Sequence, residues 1–279
     1  MIAEGDLPSL LSLAKEAADA GAAILAREAR HVTGRPIAYA RKGSPIDLVT
    51  EIDHASERAI LAVLSRAGIP IVAEEGGGHA TSGAVFYVDP LDGTTNYTHG
   101  HPFASVSIGL VVEGRPRLGV VAAPLLGVTW SAIVQADARG ARRDLVCAVE
   151  HPLSVSEVEA LDAALLATGF PVDRRTSDDD NTAAFAALTK RTHGVLRCGS
   201  AALDLALVAD GTYDGYWERK LKPWDLAAGA ALVLAAGGRV TDPWAGALDV
   251  TTGAIVASNG RIHDALLAEI APHQPGAAR

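Results

Sequence analysis

The sequence predicts an α+β fold in two halves, on the strength of a run of closely spaced strands in mid-chain and a change of pattern after it. Residues 104–112, 117–122 and 128–134 are apolar runs separated by the turn signals Glu113-Gly114-Arg115-Pro116 and 124–127. Connections that short join antiparallel neighbours, so this region reads as a meander. Beyond about Ser154, apolar strand candidates at 163–167, 194–197, 213–217 and 254–257 alternate with helical stretches at 178–190, 201–209, 226–236 and 263–270. That alternation predicts a largely parallel sheet flanked by helices. The boundary is expected near residue 145, between an N-terminal α+β domain over 1–145 and a C-terminal α/β domain over 146–279.

The elements ahead of the meander follow from local pattern. Residues 7–25 mix apolar positions with Lys15, Glu16 and Asp19 at helical spacing, which makes an amphipathic helix. This segment has neither the basic start and unbroken apolar core of a signal peptide nor the length of a membrane span. After a Gly/Pro-bearing stretch over 34–45, a second helix is expected from Asp53, as its N-cap, to Arg66. Two apolar runs, 69–73 and 84–88, read as strands, and each ends in carboxylates. Gly76-Gly77-Gly78 has neither GxGxxG spacing nor a Walker lysine and reads as a flexible loop. Asp178-Asp179-Asp180 reads as a solvated helix N-terminus, and 272–279 as a disordered tail.

Composition narrows the function classes. The 279 residues are 49% hydrophobic, enough for a large core or two packed domains sharing a cleft. Lys and Arg total 24 against 33 Asp and Glu, so a net charge of -9 argues against a nucleic-acid surface and sets any role with transcription machinery second. An acidic protein acting on an anion needs local positive charge, which bound metal ions supply. The two cysteines, Cys147 and Cys198, have neither metal-ligand spacing nor the density of a disulfide scaffold, so the cytoplasm is the expected location.

The segment Val88-Asp89-Pro90-Leu91-Asp92-Gly93-Thr94-Thr95-Asn96 carries the most chemistry. Pro90 at the second position of a four-residue turn presets its backbone, so that Asp89 and Asp92 at the corners point into one space. Such a turn leaves the Leu91 carbonyl free. Gly93-Thr94-Thr95 reads as a helix opening whose unpaired N–H groups suit a phosphate. Taken alone, this pattern is equally an ordinary strand–turn–helix junction with Asp92 or Thr94 as cap. Two further acids shift the balance: Glu74-Glu75 closes the preceding strand, and Lys222-Pro223-Trp224-Asp225 sets a carboxylate before an apolar helix. By itself Asp225 reads as an N-cap.

With these residues the chain resembles the inositol monophosphatase family, part of a larger group of metal-dependent, lithium-sensitive phosphatases. The likeness runs from Lys42-Gly43-Ser44-Pro45-Ile46-Asp47-Leu48-Val49-Thr50 through Ala73-Glu74-Glu75 and 88–96 to Gly199-Ser200-Ala201-Ala202-Leu203-Asp204-Leu205, Tyr216-Trp217-Glu218 and Trp224-Asp225. Segments 165–171 and 221–225 are bacterial in pattern. The resemblance implies an αβαβα layered sandwich, a homodimer, and two or three Mg2+ ions per site held by Glu74, Asp89, the Leu91 carbonyl, Asp92 and Asp225. An all-oxygen donor set suits such a hard cation. It further implies that Glu74 and Thr94 position the attacking water, that Asp47 hydrogen-bonds Thr94, and that Asp92, Gly93 and Thr94 contact the substrate, with the Gly93 and Thr94 backbone N–H groups receiving the phosphate oxygens. Gly199, Ala201 and Glu218 match positions that contact the alcohol, with Glu218 accepting from hydroxyls. The expected reaction is hydrolysis of a small phosphate monoester, inositol 1-phosphate first, with histidinol phosphate, fructose 1,6-bisphosphate and an adenosine bisphosphate as alternatives.

Other readings weigh less. His99 and His101 follow the loop, but imidazole is softer than this oxygen-rich site calls for. No GxSxG elbow accompanies Ser105, Ser107 or Ser200, so covalent serine catalysis is not expected. The chain departs from its bacterial relatives between Gly140 and Ser154, where a short Asn-Gly type turn is replaced by a longer segment. Arg219 and Lys220 after Glu218 are expected to alter the rim of the alcohol pocket.

Overall fold

The computed structural model describes residues 2–42, 48–78, 83–134, 142–145 and 150–274. Helix α1 (Leu7–Glu28) forms as its spacing predicts, burying Leu7, Leu10, Ala14, Ala17, Ala18 and Leu25 along one stripe. A short α2 (Arg30–Thr33) and an antiparallel pair, β1 (Ala40–Arg41) with β2 (Leu48–Val49), lead to α3 (Glu51–Leu64). The cap of α3 is Thr50 rather than the expected Asp53. Thr50 and Asp53 form a reciprocal capping box in which the hydroxyl accepts from the Ile52 and Asp53 N–H groups and the carboxylate accepts from the Thr50 N–H.

Among the described residues the larger sheet has seven strands in chain order: β3 (Ile71–Ala73), β4 (Ala84–Asp92), β5 (Ser105–Val112), β6 (Arg115–Ala123), β7 (Val128–Ile133), β8 (Arg142–Leu145) and β9 (Glu150–Pro152). The meander β5-β6-β7 is antiparallel throughout, as its short turns require. Helix α4 (Thr94–His99) lies between β4 and β5. The segment that departs from bacterial relatives supplies β8 and β9; its residues 141 and 146–149 lie outside the described residues.

The smaller sheet contains β10 (Leu165–Thr168), β11 (Gly194–Leu196), β12 (Gly215–Glu218), β13 (Arg239–Thr241) and β14 (Ile255–Ser258), in the order β11-β10-β12-β14-β13. Its helices are α5 (Thr182–Thr189), α6 (Ala201–Ala209), α7 (Pro223–Ala235) and α8 (His263–Ile270). Strands β10, β11 and β12 are parallel, but β14 is antiparallel to both neighbours, so the expected largely parallel sheet is mixed. The chain passes from β13 to β14 without an α-helical crossover, and a connection of that kind returns it in the opposite direction. Strand β13 is three residues behind Gly237-Gly238 and gave no period-2 signal.

Alternation along the strands builds the layers. Phe86 and Val88 of β4 pack with α1 and α3, whereas Val85 and Tyr87 pack with α6 and α7. Tyr216, Ile255 and Ala257 of the second sheet face those same central helices; Trp217 and Val256 face α5 and α8. The order is therefore helix, sheet, helix, sheet, helix, the αβαβα sandwich. Central contact is closest where α7 crosses β5 and β6. Gly109 and Gly119 are direct partners, and a Cβ on either would lie 2.5 Å from the Ala228 nitrogen or 2.3 Å from the Ala228 oxygen. Only a paired absence of side chains lets α7 sink to that depth.

Two smaller expectations change. Helix α5 starts at Thr182, after Asn181 in a left-handed conformation; Asp179 ahead of it is paired with Arg219 instead of being simply solvated. At the C-terminus, Ala271–His273 forms a 3-10 turn and Gln274 is buried; the rest of the expected tail, 275–279, lies outside the described residues.

Candidate active site

Strand parity decides where the carboxylates point. Asp89 continues the inward set of Val85 and Tyr87, and the parallel register Ala73↔Val88 brings Glu74 alongside, with its N–H donating to the Val88 carbonyl at 3.1 Å. Asp92, three residues on, would face the other way on a regular strand. The pairing slips, however: Asp89 lies opposite Ser107 and Asp92 opposite Ser105, so one extra residue of β4 restores the same face. The expected four-residue turn is thus a β-bulge within a strand. Pro90, with no N–H to donate, sits in that break in the ladder. Leu91 N–H donates to Asp89 Oδ1 at 2.9 Å, and the buried Ser56 hydroxyl to the Pro90 carbonyl at 2.8 Å.

The central helices deliver the rest. Asp92 Oδ2 accepts from the Ser200 hydroxyl and the Ala202 N–H, both at 2.7 Å, at the α6 N-terminus, where unpaired amides and the helix dipole favour an anion. Asp225 is the third residue of α7, not its cap: Pro223 takes the first helical position, and the carboxylate accepts from the Lys222 N–H at 2.7 Å. Ser107 on β5 donates to the Trp224 carbonyl at 3.0 Å and fixes that helix end against the sheet. Gly93 has φ +91°, and a Cβ there would lie 2.9 Å from the Phe103 carbonyl oxygen. Asn96 donates to the carbonyls of Phe103 at 2.8 Å and Cys198 at 2.7 Å, joining the two halves at the cleft.

These acids raise one another's proton affinity. Burial first, then the charges of Glu74, Asp92 and Asp225, holds the Asp89 carboxyl well above the usual carboxylate range. Burial together with Asp92 and Glu74 does the same for Asp225. Burial pushes Asp92 up to about 6, against the stabilising Ser200 and Ala202 contacts. Lys42 donates to Glu74 at 2.8 Å and pairs with Glu75; burial pulls its ammonium down, but the two carboxylates outweigh that and raise it. Among the described residues no three acids, histidines or cysteines stand close enough to make a ready-built ligand cage. Charge and donor chemistry still fit hard cations: six carboxylates line one cleft, among them Glu74, Asp89, Asp92 and Asp225, and the oxygen donors include the buried Asp89.

The Thr94 hydroxyl lies 3.1 Å from the Leu91 carbonyl and 3.2 Å from Asp53 Oδ1, two alternatives for its single hydrogen. Asp53 is buried between Thr50 and Thr94, and burial pushes it up to about 6. Asp47, the expected partner of Thr94, lies outside the described residues.

Across the cleft, Glu218 is buried and receives a short hydrogen bond from the Tyr216 hydroxyl; burial is the main reason that its carboxyl is pushed up to about 7. Room for it comes from Gly169, where a Cβ would fall 2.0 Å from a Glu218 oxygen. Arg219 and Lys220 turn away from the cleft to pair with Asp179 and Asp173.

One solvent-open cleft of about 210 Å3 is thus lined by Glu74, Asp89, Leu91, Asp92, Gly93, Thr94, Gly199, Ala201, Glu218 and Asp225. His99 and His101 are not among its lining residues. Sequence reasoning gave no role to Lys42, Ser56, Asn96, Gly169 or Arg197. Lys42 and Asn96 stand in segments that carry the resemblance, and Gly169 in the Thr168-Gly169-Phe170-Pro171 run; Ser56 and Arg197 gave no signal of their own.

Comparison with known proteins identifies the family. The model of the inositol monophosphatase family matches residues 6–275. An inositol-1-monophosphatase of Synechocystis is 42% identical over 94% of this chain and 88% of its own length. The Nus factor SuhB of Pseudomonas aeruginosa is also 42% identical, over 82% of this chain and 84% of its own. The solved inositol monophosphatase of Anabaena superposes with a TM-score of 0.82 at 40% identity, covering 95% of this chain and 96% of that one. Fold and cleft define a phosphomonoester hydrolase. The chain belongs to the inositol monophosphatase family, whose members are metal-dependent phosphatases.

Proposed function

We propose that the enzyme hydrolyses a polyol phosphate, inositol 1-phosphate first, to the free alcohol and inorganic phosphate. The observation that carries this reading is the buried Glu218, which lines the same cleft as the acid cluster and so offers a hydroxyl-accepting carboxylate beside the phosphate end. Magnesium, two or three ions held by Glu74, Asp89, the Leu91 carbonyl, Asp92 and Asp225, would supply charge neutralisation and water activation. Glu74 and Thr94 orient the attacking water, with Asp47 as the proposed partner of Thr94. The amides of Gly93 and Thr94 receive phosphate oxygens as the ester P–O bond breaks and the water oxygen bonds to phosphorus. The alcohol leaves toward Gly199, Ala201 and Glu218. A cytoplasmic homodimer is part of the same reading, and no described helix is long and apolar enough to cross a membrane.

The test is phosphate release from inositol 1-phosphate, histidinol phosphate and fructose 1,6-bisphosphate, with magnesium and with chelator. Activity is expected only with magnesium, and lithium should inhibit it; full turnover in chelator would refute the metal reading. Glu218→Gln should lower kcat/KM on inositol 1-phosphate by about 1.5–3 kcal/mol, the range for hydrogen bonds to a charged partner, and spare glycerol 2-phosphate. Equal proportional losses on both would show that Glu218 supports the site without reading the alcohol. The likeness to a Nus factor supports a second reading, an added role with transcription machinery, which co-purification of this chain with RNA polymerase would test.

A further inference from the structure

One group in the cleft wall has no place in this account. Asp204, on the first turns of α6, is 1% exposed and lines the cleft together with Glu218 and Arg197. Its Oδ1 is buried without a hydrogen-bond partner among the described residues. An acid early in a helix is ordinarily explained by the dipole, but at a surface site that effect is smaller than the cost of burying an unpartnered polar atom. Buried polar groups are nearly always satisfied, so an unsatisfied oxygen on a side chain that lines a ligand cleft points to a partner that arrives with the ligand.

We infer that Asp204 is a second specificity-determining residue on the alcohol side: together with Glu218 it takes hydroxyl groups of the substrate, so that the leaving alcohol is a polyol with at least two hydroxyls beyond the ester. The inference rests on the phosphatase reading above and deepens it. Burial, then the neighbouring Glu218 and Asp92 charges, raises the Asp204 carboxyl well above its usual range, while Arg197 opposes the shift.

Wild type, Asp204→Leu and Asp204→Asn are assayed with magnesium on inositol 1-phosphate and on phenyl phosphate, whose leaving group carries no further hydroxyl. Leu keeps the branched heavy-atom skeleton with bulkier methyl groups and removes the polar atoms; relief of the unpaired buried acid offsets the added bulk, so Tm should fall by no more than a few degrees. The expected result is a fall of about tenfold or more in kcat/KM for inositol 1-phosphate in Asp204→Leu, chiefly through KM, with phenyl phosphate within about twofold. Asp204→Asn, whose amide oxygen still accepts, should keep inositol 1-phosphate within about threefold. Equal losses on both esters, or none on either, would overturn the assignment, as would wild-type turnover of phenyl phosphate alone. Turnover of neither ester by wild type would instead refute the proposed polyol-phosphate substrate and this inference with it. If Asp204→Leu does not fold, Asp204→Ala supplies the same comparison.

Discussion

Asp92→Asn is expected to lose at least about a hundredfold in turnover with the fold retained, comparable to deleting a strong electrostatic contact in a catalytic site. The carboxylate is shared between two tasks. One oxygen is held by the Ser200 hydroxyl and the Ala202 N–H, which orient the side chain, and its negative charge is offered to cations in the cleft. Asn can keep the first task through its amide oxygen, so the melting temperature should stay within a few degrees. It cannot keep the second. Because burial pushes Asp92 up to about 6, the neutral variant also relieves its repulsion with Asp89, Asp225 and Glu74, and lost stability is not the expected cause of inactivity. Turnover and thermal melting measured on the same preparation decide it: near-wild-type turnover would remove Asp92 from the metal set, and an unfolded variant would show that its contact with α6 is structural first.

The second large effect lies outside the cleft. Gly119→Ala is expected to destabilise the protein by about 1–3 kcal/mol, the usual cost of overpacking, and to lower turnover by up to about a hundredfold through displacement of Asp225. The added Cβ would meet the Ala228 backbone at 2.3 Å, and backbone cannot turn aside as a flexible side chain can. Helix α7 must lift, and its first turn carries Asp225, tied to the sheet by Ser107 and the Trp224 carbonyl. Gly5→Ala, with nothing within 4 Å, is the control and should change neither quantity. Urea denaturation and steady-state turnover are the measurements. A Gly119→Ala protein with unchanged denaturation midpoint and activity would show that α7 has slack at this contact.

Much of the site was legible because its residues are close in sequence or stand at strand ends. Glu74 and the 89–94 segment announced themselves as acids leaving apolar runs, and the meander followed from turn lengths of a few residues. Asp53 was misread as a cap because its own capping box begins three residues earlier, at Thr50. The second sheet was read as largely parallel because strand–helix alternation encodes each crossover but not which strand inserts between two others, and β14 does so between β12 and β13.

The sequence by itself determined the α+β class, the antiparallel meander, and the carboxylate and hydroxyl types at the site. Those properties are local: side-chain chemistry, apolar runs and turn length act over a few residues. Tertiary structure alone decided that a bulge restores Asp92 to the face of Asp89, that paired glycines let α7 bring Asp225 in, and that Gly169 clears the space for Glu218. Each depends on a register or a close approach between segments far apart in the chain, and the energy of such contacts exists only once both partners are in place.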